Sequence, residues 1–480
     1  MLENSKPLPH AAIWIGGRTQ ESSDKRRFDS LNPEDDSVYC TAAHGTSKDM
    51  EAAIEAARTA STTFRKTLAK DRERWLQKAA ELMEERWAPF VNALIDEIGS
   101  PKKKAEFEYN KALGMLRAAA GMCRHVTGKT LPGDYPGRFS MSLRQPRGVV
   151  ACITPFNVPL IKGIRLSAHA LATGNTVVLL PSEMAPHIAH LIAELFHDAG
   201  FPAGSFNVVT GFGHEIGDTL TGSKDVDFVT FTGSSVIGQH INELCAKNKT
   251  PCTLELGGKS PVIVLDDADL GKTIHAVCHG IFTYQGQVCM GGSRIYVQRG
   301  IYDAFLEAFT KAAKGLPMGS LRDDATIVGP TISERQRNRI RQHVSDAESK
   351  GATVVTGGGW TGNRPEPTIL TGVTEDMVVC RNETFGPVTS VYPIDSYAEG
   401  LEKANDTAFG LSSAIFTRDL AAAMDFVQNS TAGMAHVNGS PLHDEPHVPF
   451  GGTKDSGVGR EGTEADLEAM TEMKWVTIST

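Results

Sequence analysis

Cys289 lies in Tyr284-Gln-Gly-Gln-Val-Cys-Met-Gly-Gly-Ser-Arg294, a run of small, turn-forming and polar residues rather than an apolar segment. A thiol in such a setting can meet a substrate, whereas a thiol in an apolar run is packed away. Two further stretches carry complementary chemistry. Thr253-Leu-Glu-Leu-Gly-Gly-Lys-Ser-Pro261 places Glu255 beside a glycine pair, and Thr154-Pro-Phe-Asn-Val-Pro159 places Asn157 in a proline-bounded turn directly after a strand-like run. A nucleophile, a carboxylate able to act as base and an amide able to donate to an oxyanion are the three roles that acyl chemistry on sulfur requires. Each residue also has a plainer reading. Cys289 is one of eight cysteines, Glu255 suits a solvent-facing strand position, and Asn157 suits an Asx-type turn between Pro155 and Pro159.

Such residues need elements to position them. Runs at 148–153, 175–180, 205–210 and 226–231 read as strands, the last three closed by Pro181, Gly211 and Gly233, with helical segments between them. That alternation implies a parallel sheet covered by helices. Ile237, Ile241, Leu244 and Cys245 mark an amphipathic helix after Gly233, so Gly233 and Ser234 stand at a helix N-terminus, where backbone donors favour phosphate. Gly211-Phe-Gly-His-Glu-Ile-Gly217 misses the Rossmann fingerprint because its third glycine comes one residue late, and it reads as a tight turn feeding a helix. A second α/β region begins near Gly257, with a strand at 260–265 and a helical stripe of Tyr302, Phe305, Leu306 and Phe309. Upstream, residues 49–125 read as helices. In the segment opening at Asp71, Leu76, Ala80, Met83, Trp87, Phe90 and Leu94 form one buried stripe, ended by Gly99-Ser-Pro101.

A chain of 480 residues predicts about three domains, and 40% hydrophobic with 22% charged residues describes an ordinary globular protein. The formal charge of −9 is scattered and speaks against nucleic-acid binding. The first ten residues hold an acid and two prolines where a signal peptide needs a basic start and an apolar core, and no run of 18 apolar residues follows, so a cytoplasmic location away from any membrane is expected. The cysteines are scattered, without a Cys-x-x-Cys pair, and are expected to be reduced. His443-Asp-Glu-Pro-His447 spaces two histidines like metal ligands, but Pro441 and Pro446 prevent the helix that would align them; a solvated loop and no metal are expected.

The three chemical stretches, together with Asn382-Glu-Thr-Phe-Gly-Pro387, Phe231-Thr-Gly-Ser234 and Pro449-Phe-Gly-Gly452, resemble the aldehyde dehydrogenase superfamily, in family order and over nearly the whole chain. The resemblance implies an α/β fold with a Rossmann-type cofactor domain (1–125 and 148–256), an α/β catalytic domain (257–446) and a small β oligomerisation arm (126–147 and 466–480). A homodimer or homotetramer is implied with it. It further implies that Cys289 attacks an aldehyde, that the Asn157 amide and the Cys289 backbone N–H hold the oxyanion, and that Glu255 activates the water that releases the acid. NAD is the implied cofactor. Its contacts fall on Thr154, Pro155, Phe156, Glu183, Gly233, Ser234, Leu256, Gly257, Glu383 and Phe385, with Glu383 on the nicotinamide ribose, Phe385 supporting the ring and Glu183 on the adenosine ribose.

Two positions depart from many relatives, which carry lysine where this chain has Leu180 and Leu166. The first removes a ribose contact and the second a lysine-assisted proton relay. Lys162 and Arg165 follow Asn157 on an expected helix and either line the substrate funnel or face solvent. The substrate pocket is expected to draw on Val158, Ile161, Arg165, Tyr284, Val288, Met290 and Leu442, mainly apolar and aromatic, which suits a flat ring better than an acidic chain needing a fixed cation. The loop from Leu442 to Gly452 is similar to that of the benzaldehyde, salicylaldehyde and vanillin dehydrogenases, as is Gly286-Gln-Val-Cys-Met290. An aromatic aldehyde is therefore the expected substrate. The competing readings are a semialdehyde or acylating enzyme of the same fold, a broad-range apolar aldehyde dehydrogenase, and a catalytically silent scaffold protein.

Overall fold

Val149–Ile153, Thr176–Leu180, Phe206–Val208, Phe228–Thr232 and Cys252–Glu255 are short runs, largely Val, Leu, Ile, Phe and Thr and almost wholly buried. Strands buried on both faces suit a parallel sheet covered by helices. The computed structural model, which describes residues 8–479, pairs all five in parallel. Most of the N-terminal stretch read above as unlike a signal peptide lies at residues 1–7, outside the described residues, as does Thr480.

Numbered along the chain, these five strands lie side by side in the order 5-4-1-2-3. The order reverses between Val149–Ile153 and Phe228–Thr232, and open α/β sheets bind ligands beyond the carboxyl ends of their strands at such a reversal. Thr154 to Asn157 follow the first of these strands, and Gly233 and Ser234 follow the second. Ile13–Ile15 and Arg18–Gln20 extend one edge and Gly457–Val458 the other, all antiparallel to their neighbours, to complete eight strands.

A second sheet of seven strands has Ser260–Val264 near its centre, parallel to Gly292–Gln298 on one side and Ser412–Phe416 on the other. Cys289 sits three residues before Gly292–Gln298, at the amino end of this sheet, while Glu255 and Asn157 stand at carboxyl ends of the first. The three candidate residues thus lie between two sheets. A third, small sheet pairs Arg138–Pro146 along its length with Thr471–Ser479 and adds Thr130–Leu131.

The single helical stripe expected from Asp71 divides. Ala69–Glu85 and Trp87–Ile98 are separate helices broken at Arg86 (φ −105°, ψ 31°), so Trp87 is turned out and is 41% exposed. Ile237, expected on the buried face of Ser235–Asn248, is exposed in the first turn; Ile241 and Cys245 are buried. The short strands His10–Ala11, Arg27–Leu31 and Val38–Ala43, before the first helix, had no counterpart in the sequence reading.

Candidate active site

Glu255 is the last residue of Cys252–Glu255 and is 2% exposed. Its carboxylate lies against Gly451, where a Cβ would come within 2.6 Å of Oε1. Neither carboxylate oxygen has a hydrogen-bond partner among the described residues. Burial first and the neighbouring Glu461 second push this carboxyl well above the usual range, against the opposing pull of Lys162, Arg165 and Arg460. The shift is toward the protonated form, and only the ionised form can serve as a base.

Asn157 stands where the chain leaves Val149–Ile153 and enters the helix Pro159–Ala172, which begins on a proline at its first turn. Its side chain is buried, and Nδ2 donates to the carbonyl of Gln287 at 2.9 Å. That bond joins the end of the first sheet to the loop carrying Cys289.

The loop itself is an unusual conformation held by many bonds. After the helix Leu270–Phe282, Tyr284 (φ 51°), Gln285 (φ 45°) and Gly286 (φ 69°) follow one another in the left-handed region, which costs about 1–3 kcal/mol at each non-glycine residue. The Tyr284 hydroxyl donates to the Ile98 carbonyl at 2.8 Å, Gln285 bridges the Pro330 carbonyl and the Gly329 amide, and the Gln287 side chain accepts from the Ile332 amide at 3.0 Å. Only glycine fits at 286, where a Cβ would lie 2.3 Å from Gly386, and only glycine fits at 258, where it would lie 2.4 Å from the Cys289 carbonyl. One member of the glycine pair beside Glu255 therefore serves the nucleophile loop directly. Cys289 is half-buried; burial pushes its thiol up to about 12, Glu383 and Glu255 add to the shift, and Lys162 opposes it.

Met290, Leu411 and Phe450 form an apolar cluster against which Val288, Cys289, Met434 and Leu442 pack. Three of the expected pocket residues thus meet around the thiol, joined by Phe450, Leu411 and Met434, which the sequence reading did not assign to the pocket. Val158 is half-buried, and Ile161 is buried in the main core. Tyr284 is 1% exposed with its hydroxyl committed to Ile98, so its place is that of a brace under the loop.

Lys162 and Arg165 neither line an open funnel nor face solvent. Pro159–Ala172 is buried on every side, so its charges must be paired inside the protein. Lys162 Nζ donates to Glu461 at 2.6 Å, and Arg165 donates to Asp444 at 2.8 Å with its Nε 3.4 Å from Glu461. Both cations also sit over the Phe450 ring, at 4.8 and 5.6 Å. Glu461 and Asp444 escaped the sequence reading because their partners lie 299 and 279 residues away.

The residues expected to hold a dinucleotide flank the sheet reversal. Ser234 caps the helix Ser235–Asn248, accepting from the Ile237 amide, and the Gly233 amide donates to the Glu255 carbonyl at 3.0 Å. Leu256 is buried and packs so closely on Gly238 that a Cβ there would lie 2.3 Å from its Cδ2. Glu383 Oε1 accepts from the Gly258 amide at 3.0 Å, and a Cβ on Gly257 would lie 2.8 Å from its Oε2, so this glycine leaves space for the carboxylate. Burial raises the Glu383 carboxyl, with the Gly258 amide opposing. Phe385, also left-handed (φ 54°), meets the edge of Phe156 at 5.8 Å and 80°. Thr154 is buried with its amide on the Leu180 carbonyl, Pro155 is half-buried beside it, and Glu183 is half-buried in the turn beyond Thr176–Leu180. A helix N-terminus, the carboxylates of Glu183 and Glu383 and the Phe156–Phe385 ring pair are groups of the kind that a nicotinamide dinucleotide requires.

The aldehyde dehydrogenase family model matches residues 19–476. A vanillin dehydrogenase of Pseudomonas sp. (strain HR199 / DSM 7063) is 40% identical over 472 residues, 98% of each chain. Among solved structures, a salicylaldehyde dehydrogenase from Pseudomonas putida G7 complexed with salicylaldehyde superposes with a TM-score of 0.96 at 36% identity, covering 98% of each chain. The betaine aldehyde dehydrogenase of Staphylococcus aureus in complex with NAD+ does so with a TM-score of 0.95 at 33% identity, covering 98% of this chain and 95% of that one.

Proposed function

The chain belongs to the aldehyde dehydrogenase family, and from that premise we infer that it oxidises an aromatic aldehyde to the carboxylic acid with NAD, using Cys289, Asn157 and Glu255. The observation that supports the residue assignment is the 2.9 Å bond from the Asn157 amide to the carbonyl of Gln287, two residues before Cys289. The Cys289 thiol gives its proton to water as its sulfur adds to the aldehyde carbon, and the second Asn157 N–H and the Cys289 backbone N–H take the negative oxygen of the thiohemiacetal. NAD, when bound at the sheet reversal between Gly233 and Glu383, supplies the hydride acceptor. The thioester left on Cys289 is then cleaved by water whose proton passes to Glu255, and the acid departs with the thiol restored.

The apolar cluster of Met290, Phe450 and Leu442 around Cys289 supports the aromatic substrate. The engagement of Arg165 with Asp444 and Glu461 supports it further, because the cation an acidic semialdehyde would need is already neutralised. Among benzaldehyde, a hydroxybenzaldehyde, hexanal and succinic semialdehyde, kcat/KM for the aromatic pair should lead by roughly tenfold or more, within the ~1–3 kcal/mol that one group contributes in an apolar pocket. A lead for succinic semialdehyde would overturn the aromatic reading.

NAD should be preferred to NADP by at least about tenfold in kcat/KM, because Glu183 stands where a 2′-phosphate would meet a like charge and Leu180 offers no compensating cation. Equal efficiency with the two cofactors would leave Glu183 an ordinary turn carboxylate.

The division into a cofactor domain around the first sheet, a catalytic domain around the second and an arm at the third is part of the same proposal. Thr471–Ser479 is an edge strand of the small sheet and exposes Met473, Trp475 and Ile478, a surface suited to strand addition by a second copy. Trp475→Asp should therefore shift the sedimenting species toward monomer, and an unchanged assembly would place the contact elsewhere. The eight cysteines are free, which suits a reducing cytosol, and no helix among the described residues is long and apolar enough to cross a membrane.

A further inference from the structure

We infer that Lys104 is a positioning residue for Asn157, fixing the oxyanion donor and the nucleophile loop against each other. The inference rests on the assignment of Asn157 proposed above. Lys104 and Glu108 lie one turn apart near the start of the helix Lys102–Met122, a spacing usually found in solvated surface pairs, yet their side chains are only 9% and 0% exposed. The Lys104 ammonium donates to Glu108 Oε2 at 2.5 Å and to the backbone carbonyl of Asn157 at 2.7 Å, and it rests 4.0 Å above the Tyr284 ring. One cation therefore touches the residue bearing the oxyanion amide and the loop bearing the thiol, five residues before Cys289.

Glu108 completes the arrangement from the other side. Its Oε1 accepts from the amides of Leu160 and Ile161, at 2.9 and 3.4 Å, in the first turn of Pro159–Ala172. That helix is capped by Val158, which has no side-chain acceptor, and opens on Pro159, which has no amide donor. Glu108 supplies the missing cap from a different helix. A buried ion pair serving stability alone would need only the Lys104–Glu108 contact. The bond to the Asn157 carbonyl and the seat on Tyr284 reach the two halves of the catalytic centre, where a misplacement of about 1 Å can cost as much as 10²-fold in rate.

A double-mutant cycle on the intact enzyme separates positioning from stability, with NADH formation in a single turnover on benzaldehyde as the readout. Lys104→Met should slow that turnover by roughly 10- to 100-fold while KM for NAD stays within about twofold of the parent, and exposed Lys103→Met should leave both unchanged. In an Asn157→Ala background, Lys104→Met should cost clearly less than in the parent, because the part of its effect that passes through the Asn157 amide is already gone. Additive losses in the double variant, or an unaffected single turnover in Lys104→Met, overturn the inference. A normal rate in Asn157→Ala alone would instead bring down the oxyanion assignment and the inference with it. Thermal unfolding is followed for each variant, and Lys104→Gln, which keeps a polar side chain beside Glu108, carries the same comparison if the methionine variant folds poorly.

Discussion

Replacing Cys289 with alanine should abolish turnover, by at least about 10⁴-fold, while dinucleotide binding persists, because no other nucleophile stands in the apolar cluster of Met290, Phe450 and Leu442. NAD binding by fluorescence quenching and NADH formation at 340 nm separate the two effects, and substantial dehydrogenase activity in the variant would remove Cys289 from the chemistry. The same thiol predicts a pH signature in the wild type. Burial holds it near 12, so across neutral and mildly alkaline pH the thiolate is a minor species whose fraction grows about tenfold per pH unit. Alkylation of the resting enzyme by iodoacetamide should climb steadily from pH 7 to pH 10. A plateau near pH 8 would mean that the resting thiol ionises more readily than an ordinary cysteine, with Lys162 outweighing burial.

What could be read in advance follows from where each interaction lives in the chain. Four of the five parallel strands of the first sheet are local apolar runs, three of them closed by Pro181, Gly211 and Gly233, so their pattern was visible without any partner; the fifth, Cys252–Glu255, is only four residues long and ends on a carboxylate. Cys289, Glu255 and Asn157 each sit in a compact motif whose neighbours, Gly286 and Gly258 above all, are required by close backbone approaches. The supporting charges had no such signature. Lys104 and Glu108 look like a surface pair, and Lys162 and Arg165 like a solvated helical face, until Glu461 and Asp444 arrive from the far end of the chain. The break at Arg86 was hidden because an apolar residue at 87 continues the helical spacing, and periodicity records spacing rather than the backbone turn that rotates Trp87 outward. Short N-terminal strands such as Val38–Ala43 are stabilised by partners such as Arg27–Leu31 rather than by their own composition.

Glu255→Gln should split the reaction at the thioester. The variant keeps the shape of the side chain and leaves Cys289 and Asn157 untouched, so addition and hydride transfer should proceed once, giving a burst of NADH close to one per active site. Hydrolysis then lacks its base and steady-state turnover should fall by roughly 10²- to 10⁴-fold, within the range that general base catalysis contributes. In the wild type the deacylation rate should rise with pH, because burial and Glu461 raise the Glu255 carboxyl well above its ordinary value and only the ionised form can accept a proton from water. The sign can be checked through the cations that oppose the shift. Lys162→Met removes one of them, so it should move the deacylation profile to higher pH, with Arg165 left as the companion of Glu461. A profile that moves to lower pH would mean that Lys162 does not act on Glu255 as a cation. Native steady-state turnover in Glu255→Gln would require another base at the thioester. A missing burst would place Glu255 one step earlier, taking the proton from Cys289 as the sulfur attacks.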